Sequence, residues 1–152
     1  MHRLIASWFG TGLILGRIRG SDSGSGTVGS VFAAVVAVAF YQTVSWPWQL
    51  AATGVVIIAG YLSVQAFVAE EGDAGWIVVD EAAGMFLALI GLELGLGVLV
   101  AFVVFRLADI FKSAFPGVAK ADRSSGAFGV IADDIVAGLY GLAAGHLVQA
   151  LV

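Results

Sequence analysis

Long apolar runs alternate with short polar breaks along the whole chain. Residues 28–46 are almost continuously apolar and long enough to cross roughly 30 Å of hydrocarbon as a helix. Trp46-Pro47-Trp48 is expected to end that helix with an aromatic belt and a helix breaker. Residues 48–68 then run back antiparallel, an acidic loop follows at 70–73, and Trp76 is read as another interface anchor. Residues 80–92 form an apolar stretch whose first turn carries Asp80 and Glu81. A tight turn around Glu93 leads into residues 96–111, with Arg106 and Asp109 near their end. Residues 112–125 are the longest polar connection, broken at Pro116-Gly117, and residues 127–152 are the last run. The pattern predicts an all-α, integral membrane helical bundle of about five spans, with 80–92 and 96–111 short for a full crossing.

The N-terminus carries basic residues ahead of an apolar run, as a signal peptide does. Trp8, Gly10 and Gly12 interrupt that run, and Arg17 and Arg19 stand where small residues would mark cleavage, so retention is expected. Residues 4–15 are too short to span and are expected to form a short interfacial or re-entrant helix. Residues 16–30 are rich in glycine and serine. Composition favours a flexible linker over a backbone cradle for an anion, because no Walker spacing is present.

Composition reinforces the membrane reading. The chain of 152 residues is 60% hydrophobic and 12% charged, with mean hydropathy +1.00, which excludes the soluble class and leaves room for one membrane-embedded domain over 1–152. Cysteine is absent, which removes disulfides, thiolate metal sites and cysteine nucleophiles. The net charge of −4 gives no reason to expect a nucleic-acid partner. With five spans all seven basic residues fall on one side, which the positive-inside rule assigns to the cytoplasm. Ten of the eleven acids fall there too, Glu93 being the exception. A multi-pass protein of the inner membrane, with its polar chemistry facing the cytoplasm, is the expected arrangement. Gly141 and Gly145 form a small-x-x-x-small pair that lets helices approach closely, within the chain or between copies in a homo-oligomer.

Five carboxylates stand within span ends: Asp80, Glu81, Asp109, Asp133 and Asp134. Acids in a helix's first turn can simply favour its positive end. Asp109 lies near a helix C-terminus, where that account fails, and an ion pair with Arg106 three residues earlier is the structural explanation. Adjacent pairs such as Asp133-Asp134 exceed what one cap needs, and ionisable groups inside membrane segments usually mark function. Clustered carboxylates without cysteine, and with His2 and His146 remote, describe an oxygen-ligand site suited to Mg²⁺ or Mn²⁺. Arg106, Lys112 and the glycine-rich segment could hold a phosphate that Mg²⁺ would accompany.

The stretches at 26–30 (GTVGS), 79–85 (VDEAAGM), 105–112 (FRLADIFK) and 126–138 (GAFGVIADDIVAG) resemble, in order and spacing, the motifs of the phosphatidylglycerophosphatase A family. The resemblance runs from about Ser7 to Gly145. It implies a small helical membrane phosphatase that removes the terminal phosphate of phosphatidylglycerophosphate, with Mg²⁺, to leave phosphatidylglycerol. Carried over by position, it implies that Asp80, Glu81, Asp133 and Asp134 are catalytic and bind metal, with Asp109 as a further ligand. Thr27, Ser30, Arg106 and Lys112 would bind the substrate phosphate. The family usually has Ala-Pro-Gly-Thr where this chain has Gly24-Ser25-Gly26-Thr27, and Lys-Pro-x-Pro where it has Lys112-Ser113-Ala114-Phe115-Pro116; both changes bear on head-group specificity.

Two other classes fit parts of the pattern. A small ion or proton-coupled transporter would also use intramembrane acids, but distributed through the membrane depth rather than gathered at one face. A non-catalytic assembly subunit would account for the glycine-rich helices and would bind no divalent metal.

Overall fold

Ser45 is extended and Pro47 stands in the first turn of the following helix, where a missing N–H is tolerated. Trp46-Pro47-Trp48 therefore opens a helix, whereas the sequence reading had it closing one. In a computed structural model, which describes residues 1–72 and 74–152 and the side chains of all of these but Glu71, the chain is helical throughout with no strand among the described residues. The acidic loop expected at 70–73 includes Asp73, which lies outside the described residues.

The helices are α1 (His2–Ala6), α2 (Ile14–Arg19), α3 (Ser25–Tyr41), α4 (Trp46–Val64), α5 (Val68–Glu71), α6 (Val79–Ala88), α7 (Leu96–Ile110), α8 (Val118–Asp122) and α9 (Gly126–Gln149). Of these, α4 with 19 residues and α9 with 24 are long and apolar enough to cross a membrane; α3 is apolar but shorter. Helix α6 has 10 residues, about 15 Å at 1.5 Å per residue. Eight of those ten are buried, so α6 is an inner element surrounded by other helices.

Helix α9 is the hub, packed mainly on α7 and α6, with α3 and α4 covering the other side of α6. Small residues set these contacts. A Cβ on Gly141 would stand 2.8 Å from the Ala101 carbonyl oxygen, and one on Gly145 would stand 3.0 Å from that of Gly97, so the expected glycine pair is the seam between α9 and α7. Phe105, Met85, Leu89, Val78 and Val79 fill the interior.

The N-terminal stretch is two short helices around a tight turn, where one interfacial or re-entrant helix was expected. Trp8 and Phe9 take left-handed φ values of 45° and 58°, followed by Gly10 at 90°. That turn drives Trp8 inward onto Phe86, with ring centroids 5.6 Å apart, and the Val78 N–H donates to the Ala6 carbonyl at 2.9 Å. Trp8 and Trp76 are thus core residues, each 6% exposed, while Trp46 and Trp48 project outward at 63% and 67%. Only the latter two are disposed as interface anchors.

Candidate active site

Antiparallel chain reversals bring the N-terminal ends of α3, α6 and α9 and the C-terminal end of α7 to one end of the bundle. Asp80 and Glu81 occupy the first turn of α6, and Asp133 and Asp134 stand two turns into α9. Close packing of α6 on α9 makes them converge: Asp80, Glu81 and Asp134 each offer a carboxylate oxygen, and the three lie within 4.8 Å of one another. The side chains of Asp80 and Asp134 are buried.

A cavity of about 260 Å³ opens over this cluster, lined by all five expected acids together with Arg106 and Lys112. Gly24, Gly26 and Gly75 contribute to its wall, and Asp22 stands at its edge. Gly26 is required by contact: a Cβ there would run into Glu81 Oε1 and stand 3.4 Å from Arg106 Nη2. The glycine-rich segment is therefore a built wall, and the flexible-linker reading does not hold for it.

Arg106 is held from several sides. Its guanidinium pairs with Asp109 at 2.5 Å, lies 4.0 Å from Glu81, and donates to Ser30 Oγ at 3.0 Å and Thr27 Oγ1 at 3.3 Å. Ser30 is fully buried and donates its own proton to the Gly26 carbonyl at 2.7 Å. Thr27 and Ser30 are not among the residues that line the cavity; their hydroxyls meet Arg106, which does line it. Lys112 bridges Asp133 and Asp122, each at 2.5 Å. Burial alone would pull its ammonium down, but the hydrogen bonds and charges of Asp122 and Asp133 outweigh burial and raise its pKa, keeping it charged.

Two neighbours escaped the sequence reading. Asp122 lies ten residues beyond Lys112 at the end of α8, across the Pro116-Gly117 break, with no periodicity to tie the two together. Asp22 sits in a segment whose composition drew attention to its glycines.

The donor set answers whether a metal fits. Six carboxylates, Asp22 included, face two cations in the cavity, an excess of negative charge that repels a phosphate monoester unless cations are added. Among the described residues, Glu81 Oε2, Asp133 Oδ1 and Asp134 Oδ1 are buried without a hydrogen-bond partner, a costly state for carboxylate oxygens that a metal ion relieves. The cluster can hold a metal, and its ligands are all oxygen.

Comparison with known proteins agrees with this chemistry. The family model for phosphatidylglycerophosphatase A matches residues 4–149, nearly the whole chain. The chain belongs to the phosphatidylglycerophosphatase A family. It is accordingly an enzyme, a phosphatase of the phosphatidylglycerophosphatase A type. It is 35% identical over 145 residues to phosphatidylglycerophosphatase A of Escherichia coli, covering 90% of this chain and 76% of that protein. It is 31% identical over 142 residues to phosphatidylglycerophosphatase A of Haemophilus influenzae, covering 90% and 82%. A Bacteroides thetaiotaomicron protein provisionally named phosphatidylinositol-3-phosphatase is 28% identical over 147 residues, covering 90% and 86%. No solved structure matches the chain significantly.

Proposed function

We propose that the protein hydrolyses phosphatidylglycerophosphate to phosphatidylglycerol and inorganic phosphate, with Mg²⁺, at the cytoplasmic face of the inner membrane. The observation that carries this reading is the convergence of Asp80, Glu81 and Asp134 within 4.8 Å, in a cavity that also presents Arg106 and Lys112. The relatives' names share one substrate chemistry, a phosphomonoester on a head group that is itself joined through a phosphodiester to the lipid.

Asp80, Glu81 and Asp134 would hold the cation, with Asp109 and Asp133 beside them. Bound there, Mg²⁺ supplies Lewis acidity toward the phosphoryl oxygens. Arg106 offsets negative charge developing on the transferring group. Its guanidinium is oriented beforehand by Asp109, Ser30 and Thr27, so Thr27 and Ser30 act on the phosphate through Arg106. Lys112, anchored by Asp133 and Asp122, adds positive charge from the other side. Asp134, through the oxygen the cation leaves free, would take the proton of an attacking water, or would itself attack phosphorus as phosphatidylglycerol leaves, with water then releasing the phosphate.

The chain would form one membrane-embedded domain, with α3, α4, α6, α7 and α9 as about five membrane-embedded helices. The outward faces of α3, α4 and α7 support this, since Val35, Val55, Ile58 and Leu99 are exposed apolar residues. Clustering of the basic residues toward the end that holds the cavity supports the cytoplasmic orientation. A coupled transporter would need carboxylates through the membrane depth, whereas these five gather at one end.

Phosphate release from phosphatidylglycerophosphate, measured beside phosphatidic acid with Mg²⁺ and then with chelator, tests the reading. Release that stops on chelation supports it. Release that survives chelation, or no release from phosphatidylglycerophosphate, overturns it.

A further inference from the structure

A second cavity, of about 550 Å³, adjoins the acidic one. Arg3, Leu13, Gly16, Arg17, Asp22 and Trp76 line it, and Asp22 belongs to both cavities. Two glycines seat this dividing carboxylate. A Cβ on Gly16 would collide with Asp22 Oδ1, and one on Gly75 would stand 3.1 Å from Asp22 Cβ. Arg3 is fixed by stacking: its guanidinium carbon lies 5.0 Å from the Trp76 ring centroid, and Trp76 is buried edge-to-face against Phe67 at 5.2 Å. Among the described residues neither Arg3 nor Arg17 has a carboxylate within 4.0 Å.

The two cavities differ in sign. Carboxylates dominate the smaller one, whereas the larger presents two guanidiniums against one carboxylate. That leaves one positive charge, equal and opposite to a phosphodiester. Leu13 and Trp76 give it an apolar wall suited to the glycerol and the first methylenes of a lipid. We propose that this second cavity holds the phosphodiester of the lipid substrate through Arg3 and Arg17, while the phosphomonoester enters the acidic cavity across Asp22. This rests on the lipid phosphatase reading above. Arg3 and Arg17 are then specificity-determining residues. They favour lipids whose monoester lies beyond a diester over phosphatidic acid, whose single phosphate is joined directly to diacylglycerol and leaves the second cavity without an anion.

The test is a kinetic comparison of Arg3→Gln, Arg17→Gln and the double variant with the unmodified protein, in mixed micelles of a neutral detergent. Both arginines are exposed, so glutamine removes no core side chain and loses only the Arg3 contact on Trp76. For phosphatidylglycerophosphate the double variant should show a KM raised about tenfold, the equivalent of one charge-assisted contact, with kcat unchanged. Its constants for phosphatidic acid should not move. Competition by water-soluble glycerophosphoglycerol should weaken in the double variant by a similar factor, a readout that does not depend on turnover of phosphatidic acid. An unchanged KM and undiminished competition, or an equal loss on both lipids, would overturn the proposal. Failure of the unmodified protein to hydrolyse phosphatidylglycerophosphate would instead overturn the substrate reading, before any variant is compared.

Discussion

Gly84 of α6 and Gly138 of α9 lie backbone against backbone: a Cβ on Gly138 would stand 2.5 Å from the Gly84 carbonyl oxygen. A Cβ on Gly84 would in turn stand 2.5 Å from the carbonyl oxygen of Asp134 and from Phe105 Cε2. Gly84 lies one turn from Asp80 and Glu81, and Gly138 one turn from Asp134, so this contact fixes how near the carboxylates of the two helices come.

Gly84→Ala should therefore damage fold and site together. The obstruction is backbone on one side and a buried ring on the other, so the helices must separate, at a cost of about 1–3 kcal/mol. Thermal unfolding in detergent should show a lower midpoint, and phosphate release should fall with it. Gly54→Ala in α4, where a Cβ meets nothing within 4 Å, is the matched control and should leave both unchanged. Equal behaviour of the two variants would remove the packing explanation.

Gly26→Ala separates activity from stability. Its Cβ meets the end of the Glu81 side chain, which can swing aside without moving a helix. Displacing one carboxylate by an ångström or so is enough to lower turnover on the order of 10²-fold. The expected result is a large loss of phosphate release at an unchanged melting midpoint, and a parallel loss of both would make Gly26 a packing residue only.

The acids were legible because ionisable groups in apolar runs stand out against their surroundings. Asp80, Glu81, Asp109, Asp133 and Asp134 all line one cavity. All-α structure followed from the same runs. What failed to show were features that one composition encodes in two ways. Tryptophan beside apolar residues marks an interface belt or a core, and Trp8 and Trp76 turned inward because a strained turn and the start of α6 enclose them. Pro47 ends or begins a helix equally well, and only the extended Ser45 decides. Residues 80–92 are apolar to the end, yet α6 stops at Ala88. Pairings across 76 and 79 residues, such as Arg106 with Ser30 and Thr27, have no periodicity to reveal them.

Asp134→Asn tests the metal proposal without relying on turnover. Buried like charges within 4.8 Å repel, so removing one should stabilise the protein when a chelator keeps metal away. In the unmodified protein, Mg²⁺ binding only the folded state should raise the melting midpoint as its concentration passes the dissociation constant. The variant should start higher in chelator and gain little from Mg²⁺, while losing phosphate release. A variant that responds to Mg²⁺ like the unmodified protein would take Asp134 out of the metal site.

Arg106 and Ser30 allow the phosphate-binding scheme to be divided. Separate guanidinium nitrogens meet Ser30 and Thr27, a fork that lysine, a point charge on a flexible stem, cannot reproduce. Arg106→Lys should lower kcat about 10²-fold with the fold intact, in the range seen on removing a charge-stabilising donor. Ser30→Ala should also lower kcat, by less. If Ser30 works by holding Arg106, its loss should have little further effect once Arg106 is lysine, and the two variants will be non-additive. If Ser30 meets the phosphate itself, as the motif resemblance implied, the two losses will multiply. A double-mutant cycle on kcat therefore distinguishes a positioning hydroxyl from a binding one.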